Sequence, residues 1–272
     1  MTHVLTIGIG DIDVAVVCEG YAPIDLVEEF PDTEVDWAAE RAAYPWAFHD
    51  ETSWAWHAHA FALRTPDGVV MVDTGLGTFP PYRPWATSVP RDEALAAAGV
   101  DPTDVIAVAH THLHADHAGG AVVDGAPTFP NATHHVHPAD WAFFAEPDTT
   151  DYTGRFEMEE LERRGALDLR ADDHEIARGI RVVSAPGHTP GHRTVLVSTD
   201  DGWLLLTGDA LHTPPQVRLP SAPSNHDEDP EAACRSRERA LGDARDGGWL
   251  VAVSHFAEPF GRVGEQGWIA GR

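Results

Sequence analysis

The residues Thr111–His117 place three imidazoles and one carboxylate within six consecutive positions. The run reads Thr-His-Leu-His-Ala-Asp-His, so His112, His114, Asp116 and His117 lie close together along the chain. Imidazole nitrogens and carboxylate oxygens are the atoms that proteins offer to zinc and similar divalent ions. The run therefore predicts a metal site, which we favour over a histidine-rich surface loop.

Hydrophobic runs bounded by turn residues predict strands alternating with helices. Residues 20–56 and 79–90 are rich in aromatic side chains and are predicted to be irregular loops. We find no linker and no internal repeat, and we expect residues 1–272 to form one domain. The predicted strands are Val4–Ile9, Val14–Cys18, His57–Arg64, Val69–Val72, Val105–Ala109, Ile180–Ala185, Thr194–Ser198, Trp203–Thr207 and Trp249–Ser254, and the predicted helices are Arg91–Ala98, Pro138–Glu146, Glu157–Arg164 and Pro230–Arg245.

Further candidate ligands occupy the same kind of position as the histidine run. His112, His188, Asp209 and His255 each follow a predicted strand directly or within a few residues. Rigid strands can aim the residues of the following loops at one point, and sites in α/β architectures gather at strand ends. These four side chains are therefore expected to converge.

The amino-acid composition limits which kinds of molecule the protein is expected to bind. The net charge of −26 disfavours nucleic acid, which needs a basic surface, and disfavours an anionic membrane surface. All 18 basic residues are arginine, which excludes Schiff-base chemistry and any phosphate-binding loop that needs lysine. Two cysteines without CxxC spacing, and the absence of a signal-peptide pattern or an apolar run of membrane-spanning length, predict a cytoplasmic protein.

Five short motifs, taken together, resemble those of the metallo-β-lactamase-fold hydrolases. In chain order they are Asp73-Thr74-Gly75, Thr111–His117, Gly187–His192, Gly208-Asp209 and Ser254-His255. The stretch Gly208–His212, with Gln216 and Ser254–Phe256, is most similar to the branch that holds methyl-parathion-hydrolase-like enzymes and quorum-quenching lactonases. The resemblance implies an α/β (α+β) fold, a four-layer αβ/βα sandwich with a dinuclear metal site at the sheet edge.

The resemblance also implies a set of metal ligands. His112, His114 and His188 would bind one metal ion, Asp116, His117 and His255 would bind the other, and Asp209 would bridge the two. Asp73 would orient a ligand histidine by a hydrogen bond. In many acyl-homoserine lactonases of this fold a tyrosine stands three residues after the bridging aspartate, whereas His212 occupies that position here.

This ligand set predicts a hydrolase of small-molecule esters or lactones. Two divalent ions roughly 3.5–4 Å apart can share a bridging hydroxide and hold an oxygen of the substrate. Zinc is the expected metal, with iron, manganese and cobalt as alternatives. Asp116, and with it His212, would accept and return the proton of the nucleophile. Phosphotriester or thioester hydrolysis, and an iron-dependent oxidoreductase on the same fold, remain as alternatives, and a homodimer is possible.

Other histidines and the aromatic segments are expected to support the fold. His57 and His59 lie on one face of a strand, and we favour a role in packing or in supporting a ligand over one in bordering the site. The cluster His134, His135 and His137 is predicted to be surface histidines at a strand end, rather than a second metal site. His192 is predicted to be structural. Trp46, Trp54 and Trp85 are candidates for a hydrophobic substrate wall, with packing or a dimer contact as the alternative.

Overall fold

Two β-sheets form the centre of the structure, a computed structural model that describes residues 5–30, 34–78, 84–146 and 153–271, apart from the side chain of Val27. The strands are β1 (Thr6–Ile9), β2 (Ile12–Asp25), β3 (Ser53–Thr65), β4 (Gly68–Val72), β5 (Thr87–Ser88), β6 (Val105–Ala109), β7 (Val122–Val123), β8 (Ala126–Pro127), β9 (Thr133–Val136), β10 (Leu167–Leu169), β11 (His174–Ala177), β12 (Ile180–Ser184), β13 (Arg193–Thr199), β14 (Gly202–Leu206), β15 (Leu250–Ala252), β16 (Phe260–Gly264) and β17 (Gly267–Ala270). The α-helices are α1 (Leu26–Glu29), α2 (Trp37–Ala43), α3 (Arg91–Ala97), α4 (Ala115–Ala118), α5 (Pro138–Ala145), α6 (Arg155–Arg163), α7 (Pro215–Arg218) and α8 (Pro230–Gly247).

Each large sheet combines antiparallel and parallel pairing. The first has the order β1-β2-β3-β4-β6-β9-β10, with β5 paired to β2, and the second runs β11 to β17 in sequence order. Strands β4, β6, β9 and β10 are mutually parallel, and so are β14 and β15. The carboxyl ends of parallel neighbours lie at the same edge of a sheet, so the loops that follow them meet there.

Strand alternation sorts the apolar side chains into layers. Along β3, Phe61 and Leu63 face a core that they share with Val195 and Leu206 of the second sheet. Ala60 and Ala62 point the other way, against α3. The second sheet buries its outer face against α8, and α5 and α6 cover a separate cluster beside β9. Helices therefore flank both sheets, and the predicted four-layer αβ/βα sandwich is confirmed.

The longest helix, α8, begins and ends at residues that are typical helix caps. Asp229 accepts a hydrogen bond from the Ala232 N–H (3.0 Å), and Pro230 occupies the first turn, where no intrahelical donor is lost. Gly248 ends the helix in the left-handed conformation (φ 63°). None of the helices in the described ranges is long and apolar enough to cross a membrane.

Most predicted elements are confirmed, but residues 20–56 are not an irregular loop. β2 continues to Asp25 and β3 begins at Ser53, so both ends of this segment are paired strand, and α1 and α2 lie between them. The aromatic residues fit the pairing because alternate side chains of a strand can pack on opposite faces. The loop prediction for 79–90 is wrong at Thr87–Ser88, which pairs with β2 as β5. Val4, Phe79 and Tyr82 lie outside the described residues.

Candidate metal centre

The predicted ligands come together at the edge where the two sheets meet. Each lies in the segment that follows a strand, with Asp116 and His117 on the short helix α4, so the rigid sheets fix where the backbone of that segment starts. Asp73 follows β4, His112 to His117 follow β6, His188 lies between β12 and β13, Asp209 follows β14, and His255 follows β15.

The first cluster of donor atoms joins three histidines and one aspartate. His114 Nδ1 lies 2.9 Å from His112 Nε2 and 3.1 Å from His188 Nε2. Asp209 Oδ2 lies 3.6 Å from His112 Nε2 and 3.4 Å from His188 Nε2. Two nitrogens on one tetrahedral zinc ion stand about 3.3 Å apart. These spacings match a single metal ion.

The second cluster shares Asp209 with the first. His117 Nε2 lies 3.1 Å from Asp209 Oδ1 and 3.1 Å from Asp116 Oδ2. His255 Nε2 lies 2.9 Å from Asp209 Oδ1 and 4.0 Å from Asp116 Oδ2. Asp209 therefore turns one carboxylate oxygen towards each cluster, which is the arrangement that a bridging ligand requires.

The residue before Asp209 must be glycine for steric reasons. Gly208 has a left-handed backbone (φ 50°), and a Cβ atom there would lie 2.8 Å from His192 Nε2. His192 donates from Nδ1 to the Ala185 carbonyl (3.0 Å), and its Nε2 accepts the Asp209 N–H (3.0 Å). His192 thus holds the backbone of Asp209, which agrees with the structural role predicted for it.

Asp73 lies behind His117, where the sequence analysis placed it. His117 Nδ1 donates to Asp73 Oδ2 (2.8 Å), and the carboxylate also accepts the Thr111 N–H (2.8 Å). Asp73 has a positive φ of 61°, which aspartate tolerates better than most residues. The hydrogen bond fixes the His117 tautomer and leaves Nε2 free to bind a metal.

His188 is held by residues that the sequence analysis missed. Asp227 Oδ1 lies 3.4 Å from His188 Nδ1, and the fully buried Arg237 donates to Asp227 Oδ2 (3.2 Å). Asp140 of α5 accepts the Gly191 N–H (2.6 Å) and so fixes the loop that carries His188. No local pattern marks Asp140 or Asp227, because both contacts join distant parts of the chain.

His255 is anchored on β3. Its Nδ1 donates to the His57 carbonyl (2.7 Å), the His57 N–H donates to the His255 carbonyl (3.3 Å), and the His59 N–H donates to the Ser254 carbonyl (3.1 Å). Trp56 stacks on the His255 ring at a centroid distance of 4.1 Å. The loop therefore extends the pairing of β3, and the His57 carbonyl supports a proposed ligand from behind, in keeping with the supporting role favoured for His57.

The donor set fits divalent metal ions electrostatically. Burial lowers the pKa of His112 and His188 far below the usual value and lowers that of His114 to about 4, so these rings are neutral, as metal binding requires. Burial opposes protonation of His117, yet Asp209, Asp116 and Asp73 raise its pKa well above the usual value. The second cluster therefore attracts positive charge.

Hydrogen bonding gives a second test of the fit. Asp116 Oδ2 and His117 Nε2 are buried and only 3.1 Å apart, yet neither has the geometry of a hydrogen bond with any described residue. An unpaired buried polar atom is costly, and a metal ion would satisfy both. Burial would raise the pKa of Asp116, but the adjacent His117 lowers it to about 2, so the carboxylate is charged at neutral pH.

His212 lies beside the bridging aspartate. Its Nε2 is 3.2 Å from Asp209 Oδ2, its Nδ1 is 3.8 Å from Glu29 Oε1, and its ring stacks on His255 at 5.6 Å. Burial opposes protonation, but Asp209 and then Glu29 raise its pKa to about 9. Gln216 accepts the His212 N–H (2.8 Å) and fixes its backbone. Glu29 is another neighbour that the sequence analysis did not identify.

Aromatic side chains border a narrow crevice beside His212 and His255. Trp46, Trp54 and Trp56 line it, with a cavity volume of about 10 Å³, enough for about one water molecule. Trp54 is only 3% exposed and packs on Phe48 at 4.6 Å, so it also belongs to the core. The packing interpretation therefore applies to Trp54, the wall interpretation stays a prediction, and Trp85 does not line this crevice.

The prediction of surface histidines at 134 and 135 is wrong. His134 is fully buried and its Nδ1 lies 2.9 Å from His110 Nε2, and His135 is buried with Asp168 Oδ2 3.1 Å from its Nδ1. Both lie on β9, and other side chains cover them on the faces of the sheet: the His134 ring stacks on His110 at 5.2 Å, and the His135 ring lies 5.7 Å from that of His174 on β11. His137 differs: its ring is partly exposed and Nδ1 accepts the Ala139 N–H at the start of α5 (3.0 Å).

Comparisons with known proteins agree with this geometry. The family profile described as the metallo-beta-lactamase superfamily matches residues 54–255. An N-acyl homoserine lactonase from Bacillus sp is 30% identical over 169 residues, which cover 56% of this chain and 63% of that protein. The chain thus spans less than two thirds of the length of that relative.

Solved structures share the fold along nearly the whole chain. The hydrolase AbOPH of the beta lactamase superfamily has a TM-score of 0.83 at 20% identity, covering 100% of this chain and 98% of that one. AidC, a dizinc quorum-quenching lactonase in complex with a product, has a TM-score of 0.83 at 21% identity, covering 99% and 97%. At these identities the two structures support the fold.

Proposed function

The chain belongs to the metallo-beta-lactamase superfamily, and from that premise we propose that it is a dinuclear zinc hydrolase of small-molecule lactones or esters. The observation that carries the proposal is the position of Asp209, whose two carboxylate oxygens lie within two separate donor clusters. N-acyl homoserine lactonases among the relatives make a lactone with an acyl substituent the substrate class to test first.

The donor set favours zinc. Five histidines and two carboxylates supply imidazole nitrogen and oxygen, which suit zinc, while iron, manganese and cobalt accept the same donors. When bound, divalent ions would polarise the carbonyl of the substrate and supply hydroxide at neutral pH. The protein holds the donors in place through Asp73, Asp227 and the His57 carbonyl.

Two side chains are placed to move protons. Asp116 is charged, and the carboxylate oxygen that does not bind the metal ion can accept the proton of the attacking water and return it to the leaving alkoxide. His212 lies beside Asp209 and borders the crevice, so we assign it the donation of a proton to the developing oxygen anion. Both roles extend the proposal.

Phosphotriester and thioester substrates present the same kind of polarised centre, so they are the second candidates. An iron-dependent oxidoreductase would use the same donors, and metal identity separates it from a hydrolase. We further propose a small-molecule substrate, a cytoplasmic location and no nucleic-acid or membrane partner, in keeping with the charge of −26. The single domain over residues 1–272 and the homodimer stay predictions.

The proposal is tested by measuring acid release from a panel of acyl lactones and aryl esters. The metal-replete protein is expected to open a lactone, and the same protein treated with EDTA is expected to lose that turnover. Adding Zn²⁺ back to the EDTA-treated sample should restore it, because the donors are preformed by buried hydrogen bonds.

Phosphotriesters and thioesters run in the same panel assign the substrate class. Turnover that survives EDTA treatment contradicts the proposed function. So does the absence of turnover on every substrate of the panel while two zinc ions remain bound. If iron is the bound metal and only redox substrates react, the oxidoreductase replaces the hydrolase.

His212→Gln is expected to lower kcat by about tenfold or more and to alter the pH profile, because glutamine cannot carry a titrating proton. Zinc content should stay unchanged, since His212 lies beside Asp209 and is not among the proposed ligands. His226→Gln is the matched control, because that ring lies 6.0 Å from His212 and is half-exposed. Unchanged kcat and an unchanged pH profile in His212→Gln would remove the proton-transfer role.

A further inference from the structure

A cysteine and two histidines meet on β2 and β3, outside the proposed ligand set. Cys18 and His59 are direct cross-strand partners, and His57 lies two residues before His59 on the same face of β3. One donor atom from each residue lies within 4.8 Å of the other two. The strand register therefore brings a thiol and two imidazoles to one point.

The spacing of these donors suits a small divalent ion. Cys18 Sγ lies 3.8 Å from His57 Nδ1. Zinc binds sulfur at about 2.3 Å and nitrogen at about 2.0–2.1 Å, which sets a sulfur-to-nitrogen spacing of about 3.6 Å in a tetrahedral site. A shift of a few tenths of an ångström by one side chain would bring this pair to that spacing.

The His59 ring supplies an independent sign of a missing ligand. Its Nε2 donates to the Phe256 carbonyl (2.9 Å), so the proton lies on Nε2 and Nδ1 carries the lone pair. Nδ1 is buried, has no hydrogen-bond partner within the described part of the chain, and belongs to a side chain only 4% exposed. Metal-binding histidines commonly donate one ring N–H to a carbonyl and bind the ion through the other nitrogen, and His59 has this arrangement.

We propose that Cys18, His57 and His59 form a third, mononuclear divalent-metal site that prefers thiophilic ions such as Zn²⁺ and Cd²⁺. On binding, the Cys18 thiol releases its proton to solvent and the thiolate bonds to the ion, while both imidazoles bind as neutral rings. Three protein donors leave a further position for water. The site goes beyond the proposed hydrolase and needs no catalytic turnover.

Occupancy of this site would act on the segment that holds His255. The His57 carbonyl accepts the His255 Nδ1 proton, and the neighbouring Trp56 stacks on the same ring. His59 is tied to the carbonyl of Phe256, the residue that follows His255. An ion bound to His57 and His59 would therefore fix the part of β3 that holds His255 of the second donor cluster.

Cobalt substitution of the full chain tests the proposal without an activity assay. A thiolate bound to Co²⁺ gives a near-ultraviolet charge-transfer band, which a centre built from histidine and aspartate does not give. The chain has only two cysteines, Cys18 and Cys234, so the source of a band can be assigned. The band is expected in the wild type and in Cys234→Ser, and it should disappear in Cys18→Ser together with about one bound ion per chain.

Absence of the band in the wild type, or a band that persists in Cys18→Ser, overturns the proposal. Asp209→Asn separates this site from the proposed function, because that variant should lose the dinuclear metals and keep the thiolate band. Should Cys18→Ser fail to fold, His59→Gln gives the answer, because it removes the Nδ1 donor while glutamine can still donate to the Phe256 carbonyl and the thiol stays in place. The variant should bind about one ion fewer per chain and lose the thiolate band, whereas an unchanged band and ion content overturn the site.

Discussion

Asp209→Asn is expected to lose metal from both donor clusters and to lower kcat/KM by about 10³-fold. The carboxylate presents Oδ2 to His188 and Oδ1 to His255, so it is the one proposed ligand common to both clusters. Asparagine keeps the shape but removes the charge and offers only one acceptor oxygen. Metal content by mass spectrometry, measured beside kcat/KM on a lactone, checks the expectation.

Asp201→Asn is the matched control for this substitution. Asp201 is exposed in the turn between β13 and β14, and the same change of charge there should leave metal content and turnover as in the wild type. If Asp209→Asn retains two ions and full activity, Asp209 does not bridge the two metal ions. Loss of one ion alone would assign Asp209 to a single cluster.

The proposed ligands could be predicted from the sequence because each lies in a short motif at the end of a strand. His112 to His117 follow β6, and Asp209 and His255 follow the parallel neighbours β14 and β15. Hydrophobic runs are local and identify the strands, and parallel pairing then brings their carboxyl ends together. The resemblance supplied the division of the ligands into two clusters, and the distances agree with that division.

The residues that orient the ligands could not be predicted in the same way. Asp227 approaches His188, Glu29 approaches His212 and Trp56 stacks on His255 across long separations in sequence. A single buried carboxylate or a tryptophan leaves no periodic signal, so only the folded chain reveals its partner. Asp73 is the exception, since it stands in the motif Asp73-Thr74-Gly75 directly after β4.

The errors in the sequence analysis have a common physical cause. His134 and His135 are predicted at the surface because they stand at a strand end, but His134 packs on His110 and His135 packs beside His174 of the second sheet. Residues 20–25 and 53–56 are predicted as loop because aromatic residues obscure alternation, yet the pairing of β2 with β3 continues to Asp25 and Ser53. Tertiary contacts override local composition in both cases.

Asp116→Asn is expected to lower kcat by about 10²–10⁴-fold while about one of the two ions is retained. Asp116 lies 3.1 Å from His117 in the second cluster and is not part of the first, so His112, His114 and His188 keep their donor set. The variant loses both a ligand and the charged oxygen that would accept the proton of the attacking water.

The comparison with Asp209→Asn separates the roles of the two carboxylates. Asp209→Asn should remove metal from both clusters, whereas Asp116→Asn should remove it from the second cluster only. Metal content, kcat and the pH profile are measured with Asp201→Asn as the shared control. If Asp116→Asn keeps both ions and loses turnover, Asp116 acts in proton transfer and is no ligand, and if it keeps both ions and full turnover, neither role holds.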